Sequence, residues 1–267
     1  MKICLKTARS RRRLLIATVT AVLLAGCGSS SSSSSSSGGS ASSSSSASSG
    51  GSSSSAGATA TATGSSSQAG GSYTLSSSVQ ALTIDNDAGS LRVTVTQGSS
   101  PIHVVQRPSG DASAKRSVAG SSATIVSRCP GGFNLGGCHM DYDVMLPATI
   151  ALNVKGSAGE VSLQGGPAKV DIHTSAAKVS GTGLARGSYT VATDAGSVNL
   201  GFSSAPSLAK VTTQAGDIKV TVPGNASYRV TADSQVGDTK AAVTNDPTAS
   251  NVIDLHAQVG DIEVRKG

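Results

Sequence analysis

The chain has 267 residues and a formal net charge of +6, yet only 13% of its residues are charged, 2% are aromatic, and it has no Trp. Six basic residues (Lys2, Lys6, Arg9, Arg11, Arg12, Arg13) precede residue 27 with no acid among them, so the remainder carries 15 basic and 15 acidic side chains and offers no electrostatic reason to bind nucleic acid. A core without large rings must be built from Val, Ile, Leu, Ala and Thr, which suits many thin sheet layers better than one large globular core.

The basic start is followed by an apolar run from Leu14 to Leu24. Eleven residues are too few to span a bilayer as a helix, so the segment reads as the apolar part of a signal peptide. Leu24-Ala25-Gly26-Cys27, which closes it, resembles the lipobox of bacterial lipoproteins. That resemblance implies a signal peptide over 1–26, cleavage before Cys27 and lipidation of Cys27. Arg11-Arg12-Arg13-Leu14-Leu15 also resembles a twin-arginine signal, but basic starts are common and the general secretory route is favoured.

Behind Cys27, Gly28 to Ser72 is almost entirely Ser, Gly, Ala and Thr. Such a tract buries too little apolar surface to offset chain entropy, so 27–72 is expected to be a lipidated, disordered tether. Its r.m.s. span would be roughly 35–40 Å and its stretched limit about 150 Å.

From Tyr73 the texture changes to short β-type runs, first around Ala88-Gly89-Ser90-Leu91. Next comes Cys129-Pro130-Gly131-Gly132-Phe133-Asn134-Leu135-Gly136-Gly137-Cys138. An exported compartment permits disulfides, and the glycines let the chain double back, so Cys129 and Cys138 are expected to pair. Metal binding by Cys129, Cys138 and His139 is the lesser reading, because it lacks a clear fourth ligand and the usual paired spacing.

Related units then recur as Ala158-Gly159-Glu160-Val161, Ala176-Ala177-Lys178-Val179, Ala195-Gly196-Ser197-Val198, Ala215-Gly216-Asp217-Ile218, Val236-Gly237-Asp238-Thr239 and Val259-Gly260-Asp261-Ile262. Their central residues fall about 20 apart, a solenoid-like period. Aliphatic residues stand five before the centre (Ile84, Val154, Ile172, Val191, Val211, Leu255) and mostly recur two and four after it. This period-two alternation marks strands with one buried face, bent at the glycine. One unit cannot stand alone, but stacked copies form a continuous narrow core. The copy at Ser234 has two extra residues between Val230 and the turn, which predicts a register slip or a bulge there.

These Gly-Asp-Ile-x-Val units, the early Ile84-to-Val95 copy and the strand Val144-Met145-Leu146-Pro147 resemble a bacterial envelope family, the DUF4097 type often labelled "putative adhesin". The resemblance runs from Ser78 to Arg265 and implies an all-β, β-helix-like or stacked-sheet fold, and no catalytic residues. The expected folded domain is 73–267, with a cysteine-hairpin insertion at about 101–140.

Three constellations compete with that reading. His173 with Asp171, and His256 with Asp254, share the outer face, but three coils should separate the two pairs, so no composite site is expected. Asp217, Asp238 and Asp261 follow the turn glycine in successive copies; turn capping accounts for them better than a calcium ladder, because the nine-residue calcium repeat is absent. A β-helix polysaccharide lyase or hydrolase is the enzymatic alternative, but it would need clustered carboxylates and aromatic platforms, and Tyr189 and Tyr228 are too few to supply the platforms. The sequence therefore points to a non-enzymatic, membrane-anchored lipoprotein of the cell envelope, with no cofactor or metal. Its expected partners are the membrane, through Cys27, and a cell-wall polymer, glycan or another envelope protein.

Overall fold

The structure is a computed structural model that describes residues 66–68, 70–130 and 137–267. The expected signal peptide, Cys27 and the tether up to residue 65 lie outside the described residues. All regular structure within them is β-sheet. In chain order the strands are β1 (Ser66–Gln68), β2 (Gly71–Leu75), β3 (Ala81–Thr96), β4 (Ile102–Ser109), β5 (Ser113–Ala119) and β6 (Ser122–Arg128). There follow β7 (His139–Pro147), β8 (Ala151–Gln164), β9 (Lys169–Leu184), β10 (Ser188–Ala195), β11 (Val198–Phe202) and β12 (Leu208–Ala215). The last five are β13 (Ile218–Val222), β14 (Arg229–Val236), β15 (Thr239–Ala241), β16 (Val252–Val259) and β17 (Ile262–Lys266).

Each layer of the stack is a strand, a corner and a second strand. Except in the β4/β5 layer, which runs the other way, the strands before the corner form one ladder in the order β1-β5-β6-β3-β8-β9-β10-β12-β16-β14. Those after the corner form a second, β2-β4-β7-β3-β8-β9-β11-β13-β17-β15, in which β3, β8 and β9 run through the corner and serve both ladders. Pairing is parallel from β6/β7 onward and antiparallel around β5/β4. Residues 101–140 are thus an insertion in sequence and further layers in space. The first layer also begins at Ser66, inside the tract that composition assigned to the tether.

The inward rows of both ladders join one apolar cluster. Ile84, Val154, Ile172, Val191, Val211 and Leu255 are all buried, as are Leu91, Val161, Val179, Val198, Ile218 and Ile262 on the facing ladder. Tyr189 and Phe202 meet edge to face across the core at 5.1 Å, and the Tyr189 hydroxyl donates to the Ala185 carbonyl at 2.9 Å. Each buried aliphatic contributes about 1.5–3 kcal/mol of transfer free energy. A single layer of roughly 20 residues falls short of its own ordering entropy, so stability comes from stacking.

Stacking order departs from chain order at one place. β16/β17 lies between β12/β13 and β14/β15, so the later coil occupies the inner slot. Burial gives the reason. The later coil turns Ile253, Leu255, Ala257, Ile262 and Val264 inward, all of them buried. The earlier coil offers Val230, Ala232 and Ser234, which are half-buried, and Thr239 and Ala241, which are exposed. The less apolar coil therefore forms the end, where a capping layer belongs.

This arrangement corrects two expectations. His173 and His256 are separated by two layers, those carrying Ala192 and Thr212, rather than three. The bulge expected near Ser234 is absent: Val230 pairs with Ile253, Ala232 with Leu255 and Ser234 with Ala257 in unbroken register. Val230 is seven residues before the turn and the small Ala232 is five before it, so no residue is extra. The register shift lies instead between β9 and β11, where Leu184 pairs with Phe202 and Gly181 with Leu200. A Cβ on Gly181 would meet Leu184 Cδ1 at 2.8 Å, so Leu184 fills the space a side chain at 181 would take.

Two glycines should respond oppositely to a methyl group. Gly216 has φ +147°, and a Cβ there would lie 2.1 Å from the Gly196 carbonyl oxygen. Gly156 carries no such strain; it lies beside a gap of about 20 Å³, and its Cβ would make ordinary contact with Thr174 Cγ2 at 3.5 Å. Gly216→Ala should cost about 2–4 kcal/mol in urea denaturation. Gly156→Ala should be neutral or stabilise by up to about 1 kcal/mol.

Candidate functional site

Two features place chemistry-bearing side chains together: the corner row and a groove on the outer face of the first ladder. At the corner, Asp217 Oδ1 accepts the Asp261 N–H at 2.9 Å, and Asp261 Oδ1 accepts the Asp238 N–H at 2.8 Å. Asp141 Oδ1 accepts the Ser90 N–H in the same way at 2.7 Å. The three aspartates singled out in sequence do form a ladder, in the order 217, 261, 238. Their spacing follows the layers, and two of the carboxylates hold the next layer's amide rather than converging on a shared point. The geometry is that of turn capping.

The groove has a volume of about 370 Å³ and is lined by Asp85, Lys155, Ser157, His173, Ser175 and Asp194, from four successive layers. Strand alternation puts these side chains outside because their neighbours at Ile84, Val154, Ile172 and Val191 point inward. Arg128 on β6 grips Asp85 with both ends of its fork, Nη1 to Oδ1 at 2.9 Å and Nη2 to Oδ2 at 3.0 Å. The same Nη1 reaches Asp87 at 3.2 Å, and Asp87 Oδ2 accepts the Cys129 N–H at 3.3 Å. The hydrogen bonds from Arg128 hold the Asp85 carboxyl below the usual carboxylate range. Asp194 Oδ1 accepts from Gln214 Nε2 at 2.6 Å.

His173 Nε2 lies 2.8 Å from Asp171 Oδ1, and His256 Nε2 lies 2.8 Å from Asp254 Oδ1. Each pair is therefore local to one strand. Lys210 reaches Asp254 from the adjacent layer at 3.6 Å. No group of three or more His, Cys, Asp or Glu side chains suited to a metal occurs among the described residues.

The chain's four tyrosines face inward. Tyr142, Tyr189 and Tyr228 are fully buried, and burial pushes Tyr189 up to about 12. Tyr73 is half-buried, with the Arg116 guanidinium 4.2 Å from its ring centre. Tyr189 and Tyr228 therefore belong to the core and form no sugar-stacking platform.

Cys129 and Cys138 form a disulfide with Cα atoms 5.8 Å apart, at the place where β6 turns into β7. The bridge occupies the sulfurs that a metal site with His139 would need. It replaces the simple glycine corner of other layers, and Arg128 and Asp87 fasten its base to β3. Sequence reasoning did not find the Arg128 clamp, because its partners are more than 40 positions away and β6 carries no repeat signature.

The clamp has a pH signature. Because the folded Asp85 carboxyl is depressed, its contribution is present above the ordinary carboxylate range and is lost as pH falls through the lowered value. Asp85→Asn should lower stability at pH 7 by less than about 1 kcal/mol, the scale of an exposed ion pair. That difference should shrink towards zero when urea midpoints of the two proteins are compared in acid.

Residues 148–265 match the family described as Toastrack DUF4097, a segment that takes in β8 to β17. Among solved structures, a "putative cell adhesion protein" from Clostridium sporogenes is similar at 15% identity and TM-score 0.45, covering 76% of this chain and 100% of that one. A "putative adhesin" from Bacteroides fragilis is similar at 12% identity and TM-score 0.34, covering 77% and 98%. No curated protein matches the sequence significantly. Residues 148–265 thus belong to the Toastrack DUF4097 family.

Proposed function

We propose that this protein is a lipid-anchored component of a bacterial cell envelope that displays a non-catalytic, adhesin-like β-stack as a binding or scaffold surface. The observation that carries the reading is the state of the outer-face carboxylates. Asp85 is held by Arg128, Asp194 by Gln214, and Asp217 and Asp261 by the amides of the next layer. Hydrolysis of a glycosidic bond requires a protonated carboxyl beside a free one, and Asp85 is biased the other way. Rows of Ser, Thr and Gln suit extended contact with a polymer or another protein.

The anchor reading rests on the basic start, the apolar run and the Leu-Ala-Gly-Cys sequence, and the Cys129–Cys138 disulfide agrees with an oxidising compartment. No helix among the described residues is long and apolar enough to cross a membrane. With Cys27 lipidated, the tether would lead into the first layer, and the last layer lies roughly 40–45 Å from the first along the stack. The partner would be a cell-wall polymer, a glycan or another envelope protein.

Two measurements test these statements separately. Cys27→Ser should abolish detergent-phase partitioning and globomycin-sensitive processing; unchanged partitioning would show another means of attachment. The protein released from its anchor should be retained by isolated cell wall or by immobilised envelope proteins. Retention by neither would remove both the adhesin and the scaffold reading.

A further inference from the structure

The four corners at Gly196, Gly216, Gly260 and Gly237 join one another through the same backbone contacts, and the contacts have a direction. The corner glycine's N–H donates to the carbonyl before the next layer's glycine: Gly196 to Ala215, Gly216 to Val259 and Gly260 to Val236, each at 2.9 Å. The N–H two residues after the centre donates to the carbonyl one residue after the next layer's centre: Val198 to Asp217, Ile218 to Asp261 and Ile262 to Asp238, at 2.8–2.9 Å. The aspartate carboxylate takes the next layer's N–H, as in Asp217 with Asp261 and Asp261 with Asp238.

In the end layer this joint is half made. Gly237, Asp238 and Thr239 are exposed, and no described layer lies beyond them. The alternation of a parallel ladder turns the N–H of Thr239 away from β17, because Asp238 and Ala242 are the residues bonded to it. The Asp238 side chain is 77% exposed, and its nearest cation, Lys240, is 4.0 Å away. Val236 beside it is 63% exposed. The excursion after β15 covers only the start of β14, where Asn245 Oδ1 accepts the Val230 N–H. Donor, carboxylate acceptor and donor therefore stand in the order that meets one more coil.

We infer that this end is a docking site for a strand–glycine–strand segment of another polypeptide, which adds one further layer to the stack. The inference rests on the display reading above and deepens it by naming the surface and the chemistry of the partner. The occupant must place a carbonyl before its glycine and an N–H and a carbonyl after it, as this chain's own corners do. A second copy does not supply this. Its matching corners are already covered by their neighbours, and its first layer has two residues between Gln68 and Gly71 where the glycine corner of β3 has four between the equivalent Asn86 and Leu91. The occupant is thus a different protein with an extended, glycine-bent segment.

The test uses the full chain and a synthetic peptide of residues 206–223, which carries the Ala215-Gly216-Asp217 corner, as the probe. Peptide binding should slow hydrogen exchange at Gly237 and Thr239. Asp238→Ala and Thr239→Pro should each weaken binding about tenfold or more. Both positions are exposed, so urea midpoints should stay close to those of the parent chain and separate lost docking from lost folding. No binding up to about 1 mM peptide, equal binding by both variants, or protection elsewhere on the stack would overturn the inference. Concentration-dependent self-association that protects Gly237 and Thr239 would also overturn it, in favour of a second copy. Loss of envelope retention with peptide binding intact would remove the display reading alone.

Discussion

The stack depends on how closely backbone meets backbone at the corners. A Cβ at Gly159, Gly196, Gly216, Gly237 or Gly260 would lie only 2.0–2.2 Å from a carbonyl oxygen of the neighbouring layer. At that approach no side chain fits, and at φ values near +140° few would choose to. The glycine lets carbonyl, amide and aspartate interlock, and the interlock sets the register that keeps each aliphatic row above the last. Where the rule is relaxed, at Ala177, the methyl is buried in the core. The third layer meets the corner differently: Gly89 packs against the Met140 carbonyl just after the disulfide, and Asn86 Nδ2 donates to that same carbonyl at 2.9 Å.

Given such corners, what distinguishes one layer from another is the quality of its inward side chains. The two Val-Gly-Asp coils are equivalent at the turn and unequal in the core. The competition between them decides which is sandwiched and which is exposed at the end. The outer face is free of this constraint, so charge there is arranged locally, within a strand or between adjacent layers.

Much of the fold was legible in the sequence because alternation and corner glycine are both short-range signals. The rows at Ile84 to Leu255 and at Leu91 to Ile262 needed nothing more. Three things were hidden for physical reasons. Ala232 occupies an aliphatic row but is too small to signal it, which made the copy look longer than it is. The exchange of the last two coils is a tertiary competition with no local trace. The Arg128 clamp joins β6 to β3, and β6 lacks the repeat because a disulfide stands in for its corner. The groove beside Asp85 was unreadable for the same reason, whereas the role of Asp217 and Asp261 followed from their place after the glycine.

The exchanged coils also change what the end of the stack is attached to. Among the described residues β14/β15 pairs with no layer except β16/β17, although β12/β13 precedes it in the chain. Order at the far end is therefore conditional: residues 229–241 reach their final place only once residues 252–266 have taken the slot on β12/β13. Until then β12/β13 is the open edge, and its slot is available to either coil. The end face of the described stack is thus set by the segment beneath it.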